Sequence, residues 1–104
     1  MALRVDKDSF GTEVTGYAGF AVADFYSDSC IPCKRMSPVI AQLEEENTDV
    51  KFVKVNINFD SELAEKYEVR SVPTLIFFKN GEEADRIIGA AKKAEIEEKI
   101  NNLK

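Results

Sequence analysis

The chain contains no histidine and no tryptophan, and it has two cysteines, Cys30 and Cys33. A closed zinc site needs four ligands, and a single cysteine pair without histidine does not supply them within one chain. Apolar runs are also short, since none is longer than residues 75–78, whereas a bilayer-spanning helix needs about 20 residues. These absences argue against a structural zinc domain and against a membrane protein.

The remaining composition is that of a globular protein. The 104 residues are enough for one domain, expected over residues 1–104, with 44% hydrophobic and 32% charged residues. Fourteen basic residues are scattered among nineteen acidic ones, and the net charge of −5 argues against a nucleic-acid partner. Residues 1–8 have no apolar core of signal-peptide length, so we expect a cytoplasmic location.

Hydrophobic periodicity and turn signals predict the element order βαβαβαββα. Residues 20–26 are apolar on both alternating faces except at Asp24, as in a central strand covered on both sides. A short first helix is expected to be capped by Asp8 or Ser9, and a longer one to follow the cysteines. The other predicted elements are a strand over 50–57, a helix opened near Asp60 or Ser61, strands over 74–78 and 84–88 joined by Asn80-Gly81, and a last amphipathic helix with Ala94, Ile96, Ile100 and Leu103 on its apolar face.

The sequence Cys30-Ile31-Pro32-Cys33 lies between the end of the predicted central strand and the start of a helix. A thiol at a helix N-terminus meets unpaired backbone N–H groups and the positive end of the helix dipole, so its thiolate is stabilised. Cys30 is therefore the predicted nucleophile. Cys33 lies one turn further in, where it is more shielded and can resolve a mixed disulfide. Pro32 stiffens the turn at a position that tolerates a missing N–H.

Three other interpretations of the cysteine pair were weighed. A metal shared across a dimer stays open. A purely structural disulfide is a weak explanation, because so short a loop contributes only about 2 kcal/mol before strain is subtracted. Two inert buried thiols fit poorly with a polar neighbourhood that includes Ser27, Asp28, Ser29, Lys34 and Arg35. Redox chemistry is the interpretation we favour.

Several segments together resemble one known family. Residues 23–34, which read ADFYSDSCIPCK, resemble the active-site segment of the thioredoxin family. Residues 54–57 resemble that family's third strand, 71–75 the segment with its cis proline, and 78–81 the hairpin that follows. Gly89-Ala90 resembles the family's late glycine site, so the likeness spans nearly the whole chain. It implies the thioredoxin fold, an α/β architecture in which four α-helices flank a five-stranded mixed β-sheet.

The same resemblance implies a shallow apolar surface for the substrate. The Val72 carbonyl and N–H would hold an extended substrate segment by strand-like pairing, and Pro73 would face the cysteines. The implied lining residues are Ile31, Pro32, Gly89 and Ala90. Residue type alone leaves Pro73 open to a plainer interpretation as a strand-starting proline, because most X–Pro bonds are trans.

Pro38 has two interpretations of its own. Ser37-Pro38 is a favourable N-cap and first residue for a new helix. The resemblance implies instead a proline kink within one long helix that begins near Cys33. We favour the single helix.

The chain departs from the family pattern beside the cysteines. Tyr26 and Ser29 stand where the family usually has tryptophan, which predicts an altered docking surface. Ile31, which is β-branched, replaces the usual glycine after the first cysteine. The redox potential and the choice of reductase are therefore not determined by the resemblance.

The sequence predicts a thiol-disulfide oxidoreductase that reduces protein disulfides and has no bound cofactor besides the redox-active Cys30–Cys33 disulfide. Asp24 is the candidate base for the Cys33 proton, and Lys54 would moderate its charge. Asp24 at a surface or edge position and Lys54 as a solvated strand residue are the plainer alternatives. The implied partners are disulfide-containing client proteins and a flavoprotein thioredoxin reductase that draws on NADPH or ferredoxin, and the protein itself is expected to be a monomer.

Two rival functions were considered. A disulfide oxidant or isomerase would suit an exported protein, and the missing signal argues against it. A non-catalytic binding module or assembly subunit would keep the fold and use the apolar groove without turnover.

Overall fold

The computed structural model describes residues 3–104 and follows the predicted element order. Met1 and Ala2, which begin the segment that lacks a signal pattern, lie outside the described residues. The strands are β1 (Leu3–Arg4), β2 (Phe20–Tyr26), β3 (Val50–Asn56), β4 (Thr74–Lys79) and β5 (Glu82–Ile88). The helices are α1 (Lys7–Phe10, continued by a π-helical turn over Gly11–Thr15), α2 (Ile31–Glu46), α3 (Ser61–Lys66) and α4 (Lys93–Leu103).

The five strands form one mixed sheet in the order β1-β3-β2-β4-β5. β3 runs parallel to both β1 and β2, whereas β4 runs antiparallel to β2 and to β5. The carboxyl ends of β2 and β3 and the amino end of β4 therefore meet at one edge of the sheet. The thioredoxin fold implied by the resemblance is confirmed.

Apolar side chains form a core on each face of the sheet, because successive strand residues point to opposite faces. One core contains Phe25 and Phe78 from the sheet and is covered by Phe10 and Leu63 from the α1 and α3 side. The other is built from strand residues of the opposite parity and from α2 and α4, and it contains Val22, Met36, Ile40, Leu43, Phe52, Leu75, Phe77, Ile96 and Ile100. Asp24 shares its parity with Val22 and so lies on the α2 and α4 face.

The predicted cap of the first helix was wrong. The N-cap is Asp6, whose side chain accepts the N–H groups of Asp8 and Ser9 at 2.9 Å each. Ser9 Oγ in turn accepts the Asp6 N–H at 3.0 Å, which completes a capping box. The preference for Asp or Ser at an N-cap does not choose among three such residues within four positions, and the backbone path into α1 selects the earliest.

Smaller boundary errors occur in the strands. β3 ends at Asn56 rather than residue 57, β4 extends to Lys79, and β5 begins at Glu82 rather than residue 84. In α4, Ile96 and Ile100 are buried as predicted, but Ala94 is exposed. The edge position of β5 explains the error in its first residue, since Glu82 and Glu83 can pair with β4 while their side chains stay in solvent.

The single helix through Pro38 is confirmed. α2 continues from Ile31 to Glu46 with Pro38 inside it, so Ser37-Pro38 does not start a new helix. Met36 and Ile40 on either side of the proline are buried against the sheet. Tertiary packing therefore holds the helix together across a residue that has no N–H to donate.

Candidate active site

Cys30 and Cys33 form a disulfide at the start of α2, with their Cα atoms 5.2 Å apart. Cys30 is the N-cap of the helix, and its Sγ accepts the backbone N–H of Cys33 at 3.1 Å. Cys30 is 9% exposed and Cys33 is 4% exposed, so the second cysteine is the more shielded. A negative charge on Cys30 Sγ would therefore lie where the helix N-terminus stabilises anions.

The local sequence explains why the helix begins at this point. The Cys30 N–H donates to the Ser27 carbonyl at 3.3 Å, which closes a turn directly after β2. Pro32 lies in the first helical turn, where no intrahelical partner is needed for its nitrogen. Cys33, Met36 and Ile40 then recur at helical spacing on the buried side. Packing of that side fixes Cys30 at the edge of the sheet.

Asp24 lies inside the sheet on β2 and is 6% exposed. Its Oδ1 atom is fully buried and has no hydrogen-bond partner among residues 3–104. Burial raises the pKa of Asp24 from its ordinary value of 3.8 to about 7, and the positive charge of Lys54 opposes that rise. The surface or edge alternative for Asp24 is wrong, because strands pair with β2 on both sides.

Lys54 stands directly opposite Asp24 in the parallel pairing of β2 with β3. It is half-buried, and its Nζ lies 5.9 Å from the centre of the Tyr26 ring. Asp24 and Lys54 border a cavity of about 130 Å³. Its other lining residues are Tyr26, Ser27, Asp28, Cys33, Lys34 and Ser37. The structure thus brings Asp24, Lys54 and the shielded cysteine to one cavity.

The implied substrate surface lies at the same end of the sheet. The Val72–Pro73 peptide bond is cis, and Thr74 pairs with Phe25 near the carboxyl end of β2. The Gly89 N–H donates to the Pro73 carbonyl at 2.8 Å, which joins two of the predicted groove residues. Gly89 has φ of +94°, a conformation that favours glycine, although a Cβ there would meet no atom within 4 Å.

The groove residues differ in exposure. Ile31 is 62% exposed, and Pro32 and Ala90 are also exposed, whereas Val72 is half-buried and Pro73 is buried. An exposed isoleucine next to the outer cysteine is a large apolar contact for a protein partner. Ile31 therefore adds apolar surface next to Cys30.

Three polar residues of the site were missed by sequence reasoning. Asp28, Asn56 and Asn58 are joined to one another beside the cysteine loop by one hydrogen bond between side chains and two from backbone N–H groups to side-chain oxygens. Asp28 follows β2, while Asn56 and Asn58 lie at and after the end of β3. Polar residues at the carboxyl ends of adjacent parallel strands were the available signal, because ligands and reactive groups collect at that edge.

Within residues 3–104, no group of three or more histidine, cysteine, aspartate or glutamate side chains is arranged to hold a metal ion. Over the same residues, no helix combines the length and apolarity needed to span a membrane.

The sequence was then compared with known proteins. The family model described as Thioredoxin matches residues 1–102. "Thioredoxin" of Chlamydia caviae is 43% identical over 101 residues, which cover 97% of each chain. "Thioredoxin" of Rickettsia bellii is 37% identical over 103 residues, 98% of each chain. "Thioredoxin M-type, chloroplastic" of Pisum sativum is 38% identical over 97 residues, covering 92% of this chain and 56% of that protein.

The fold, the disulfide at the start of α2 and the comparisons agree with one another. Relatives of nearly equal length align along almost the whole chain. The cysteines lie at disulfide distance in the position that the family uses for protein-disulfide reduction. The chain belongs to the thioredoxin family of thiol-disulfide oxidoreductases, which reduce protein disulfides through a redox-active cysteine pair.

Proposed function

We propose that Cys30 is the attacking nucleophile and Cys33 the resolving thiol in the reduction of client disulfides. The Cys30 thiolate attacks one sulfur of the client disulfide, which forms a mixed disulfide and releases the first client thiolate. Cys33, once deprotonated, attacks Cys30 Sγ and releases the second. Two electrons pass to the client, and the chain is left with its Cys30–Cys33 disulfide. The observation that carries this assignment is that Cys30, not Cys33, caps α2 and accepts an N–H on its sulfur.

Asp24 is the proposed base for the Cys33 proton. A carboxyl with a pKa of about 7 is partly ionised at neutral pH, so it can accept a proton and return it within one cycle. Asp24 and Cys33 line the same cavity of about 130 Å³. Water takes up about 30 Å³ per molecule in the liquid, so that volume is large enough for water to carry the proton between them. Lys54 limits how far the Asp24 pKa rises and so keeps the carboxylate available.

The client segment is proposed to lie in extended form across residues 72–73 and 89–90. The Val72 carbonyl and N–H would pair with its backbone, and Ile31, Pro32, Gly89 and Ala90 would contact its side chains. The bond from Gly89 to Pro73 supports this arrangement, because it fixes two walls of the groove relative to each other. Backbone pairing suits an enzyme that must accept clients of differing sequence.

The cycle needs an electron donor and a reducing setting. The proposed donor is a flavoprotein thioredoxin reductase, dependent on NADPH or ferredoxin, and the proposed location is the cytoplasm, where a dithiol stays reduced. The disulfide is the redox group of the chain, and no further cofactor is proposed. The proposed working unit is a monomer.

Reduction of insulin disulfides tests the activity. We expect the wild-type chain, kept reduced by dithiothreitol, to accelerate insulin precipitation, and Cys30→Ser to give the rate of dithiothreitol alone. A non-catalytic binding module would leave the wild-type rate equal to that control. Monitoring turbidity over time distinguishes the two.

The assignment of nucleophile and resolver has its own test. Cys33→Ser should accumulate a mixed disulfide with a client through Cys30, because attack proceeds and resolution does not. Non-reducing electrophoresis and peptide mapping would identify the linked cysteine. Equal trapping by Cys30→Ser would reverse the two roles.

A further inference from the structure

Asp28, Asn56 and Asn58 form a closed ring of three hydrogen bonds beside the cysteine loop, which we call the Asp28 ring. The Asn56 side-chain amide donates to Asp28 Oδ1 at 3.0 Å, and its Oδ1 accepts the backbone N–H of Asn58 at 2.9 Å. Asn58 Oδ1 then accepts the backbone N–H of Asp28 at 3.1 Å. Asp28 is thus held through both its main chain and its side chain.

The buried member of the ring keeps it closed. Asn56 is 2% exposed, and both polar atoms of its side chain find partners within the ring. Opening the ring would leave a buried amide without a hydrogen bond, which is unfavourable in a protein interior. The exposed members, Asp28 and Asn58, could exchange their bonds for water, so their position depends on Asn56.

The ring is connected to Cys30 by one tight turn. Asp28 is the second residue of the turn that the bond from the Cys30 N–H to the Ser27 carbonyl closes. Cys30 ends that turn and caps α2, where its sulfur accepts the Cys33 N–H. A shift of Asp28 would therefore move the capping sulfur relative to the helix N-terminus. The stabilisation that a helix end gives to an anion falls off within one turn, so it is sensitive to such a shift.

We propose that the Asp28 ring is a positioning device that anchors the turn before Cys30 to the end of β3 and so keeps the Cys30 sulfur on the α2 N-terminus in the reduced protein. This inference rests on the proposed role of Cys30 as nucleophile. Asp28, Asn56 and Asn58 act through Cys30 and are positioning residues.

The test is the pH profile of Cys30 alkylation by iodoacetamide, with Cys33→Ser as the background of every protein so that one thiol titrates. Asn58→Ala removes the acceptor of the Asp28 N–H and leaves the charges of the site unchanged. The titratable groups beside Cys33 are Asp24, Tyr26, Asp28, Lys34 and Lys54, followed on α2 by Arg35, and residues 71–73 carry no charge. We expect the alkylation midpoint to rise, with about threefold less reactive thiolate at pH 6.

Two controls separate positioning from other effects. Asn47→Ala removes a side-chain bond to the Leu43 carbonyl at the far end of α2, so it weakens the fold away from the ring. We expect no change in its alkylation midpoint, even if its denaturant midpoint falls as far as that of Asn58→Ala. Asp28→Asn keeps an oxygen acceptor for Asn56 and removes one negative charge, so its midpoint should stay or fall.

The outcomes are distinguishable. An Asn58→Ala midpoint equal to that of the parent, or an equal rise in Asn47→Ala, would overturn the positioning role of the ring. A rise in Asp28→Asn as large as that in Asn58→Ala would also overturn it, because the ring can stay closed in that variant. A parent midpoint near the ordinary cysteine value of about 8.5 would instead contradict the assignment of Cys30 as nucleophile.

Discussion

Two buried polar side chains lie two residue pairs apart on the same face of the sheet, and they differ in whether their polar atoms are hydrogen-bonded. Asp24 stands opposite Lys54 in the β2–β3 pairing, and Asn56 stands opposite Tyr26. Both polar atoms of the Asn56 side chain are hydrogen-bonded, whereas Asp24 Oδ1 has no partner among residues 3–104. Asn56 therefore favours one geometry at every pH, while Asp24 is poorly solvated when it ionises.

The two residues therefore have different roles although they lie close together in the sheet. Asn56 has a structural role and Asp24 a chemical one. A satisfied amide has nothing to gain by exchanging a proton, so it can only hold its neighbours in place. A carboxyl without a buried partner changes its charge near neutral pH and can take part in proton transfer. Ionising Asp24 lowers the free energy of unfolding, and denaturation experiments can measure that decrease.

The largest expected effect comes from removing the charge of Asp24. The folded pKa of about 7 lies above the ordinary 3.8, so the folded state holds the proton more tightly and stability falls as pH rises between the two values. The free energy of unfolding of Asp24→Asn should therefore exceed that of the wild type by up to about 4 kcal/mol above pH 7. Below pH 4 the two should be equal. Denaturant midpoints of the oxidised protein from pH 4 to 9 would measure this gain.

The same variant should resolve mixed disulfides more slowly, because it lacks the proposed base. Single-turnover reduction of a client disulfide, measured beside the stability curve, checks both consequences in one protein. A variant that is no more stable at pH 9 than at pH 4, relative to wild type, would mean that Asp24 ionises without cost.

Asn56→Ala should have the next largest effect and the opposite sign. It removes two side-chain hydrogen bonds from a buried position, so we expect a loss of about 2 kcal/mol in unfolding free energy. The loss should be the same at pH 5 and pH 8, because no titrating group is removed. Urea denaturation at the two pH values measures it. A loss of unfolding free energy that grows with pH would show that Asn56 acts through Asp24. The distinction between a structural Asn56 and a titrating Asp24 would then be wrong.

Lys54→Met should have a smaller effect that depends on Asp24. Without the positive charge of Lys54, the pKa of Asp24 rises further, so ionising Asp24 costs more. We expect the free energy of unfolding to fall by about 1 kcal/mol at pH 9 and to change little at pH 5. Lys51→Met is the matched control on the same strand, because Lys51 pairs with Glu13 rather than with Asp24.

A double-mutant cycle sharpens this last prediction. In an Asp24→Asn background the pH dependence caused by Lys54→Met should disappear, because no carboxylate remains to be stabilised. Denaturant midpoints of the four proteins at pH 5 and 9 supply the cycle. A pH-dependent loss that persists in that background would show that Lys54 acts on a titrating group other than Asp24, whereas a loss equal at both pH values would assign it to packing on Tyr26.

Features set by neighbouring residues were predictable. Apolar residues on both faces of residues 20–26 predicted β2 at its observed bounds and placed Asp24 inside it. Asn80-Gly81 predicted the β4–β5 hairpin, and both residues have positive φ as such a turn requires. The position of Cys30 between a strand and a helix predicted a thiol at a helix N-terminus, and Cys30 is the N-cap of α2. Each of these signals works over a few residues, where sterics and backbone hydrogen bonding decide.

Other features needed a choice between competing local signals. Asp6, Asp8 and Ser9 are all suitable caps, and the structure uses Asp6. Pro38 could begin or interrupt a helix, and burial of the helix on both sides of it decided for one helix. N-cap choices differ by about 1 kcal/mol and a proline inside a helix costs about 3 kcal/mol, and packing against the sheet outweighs both.

The sequence by itself determined the element order, the family resemblance and the chemistry that the cysteine pair can perform, because these depend on side-chain type, spacing and hydrophobic period. Tertiary structure alone decided which polar groups of β2 and β3 are satisfied: Asn56 reaches Asp28 across 28 residues, while Asp24 faces Lys54 and a cavity shared with Cys33. Hydrogen bonding and desolvation act between atoms in space, so whether a buried polar residue holds the fold or moves a proton is set only when the strands are paired.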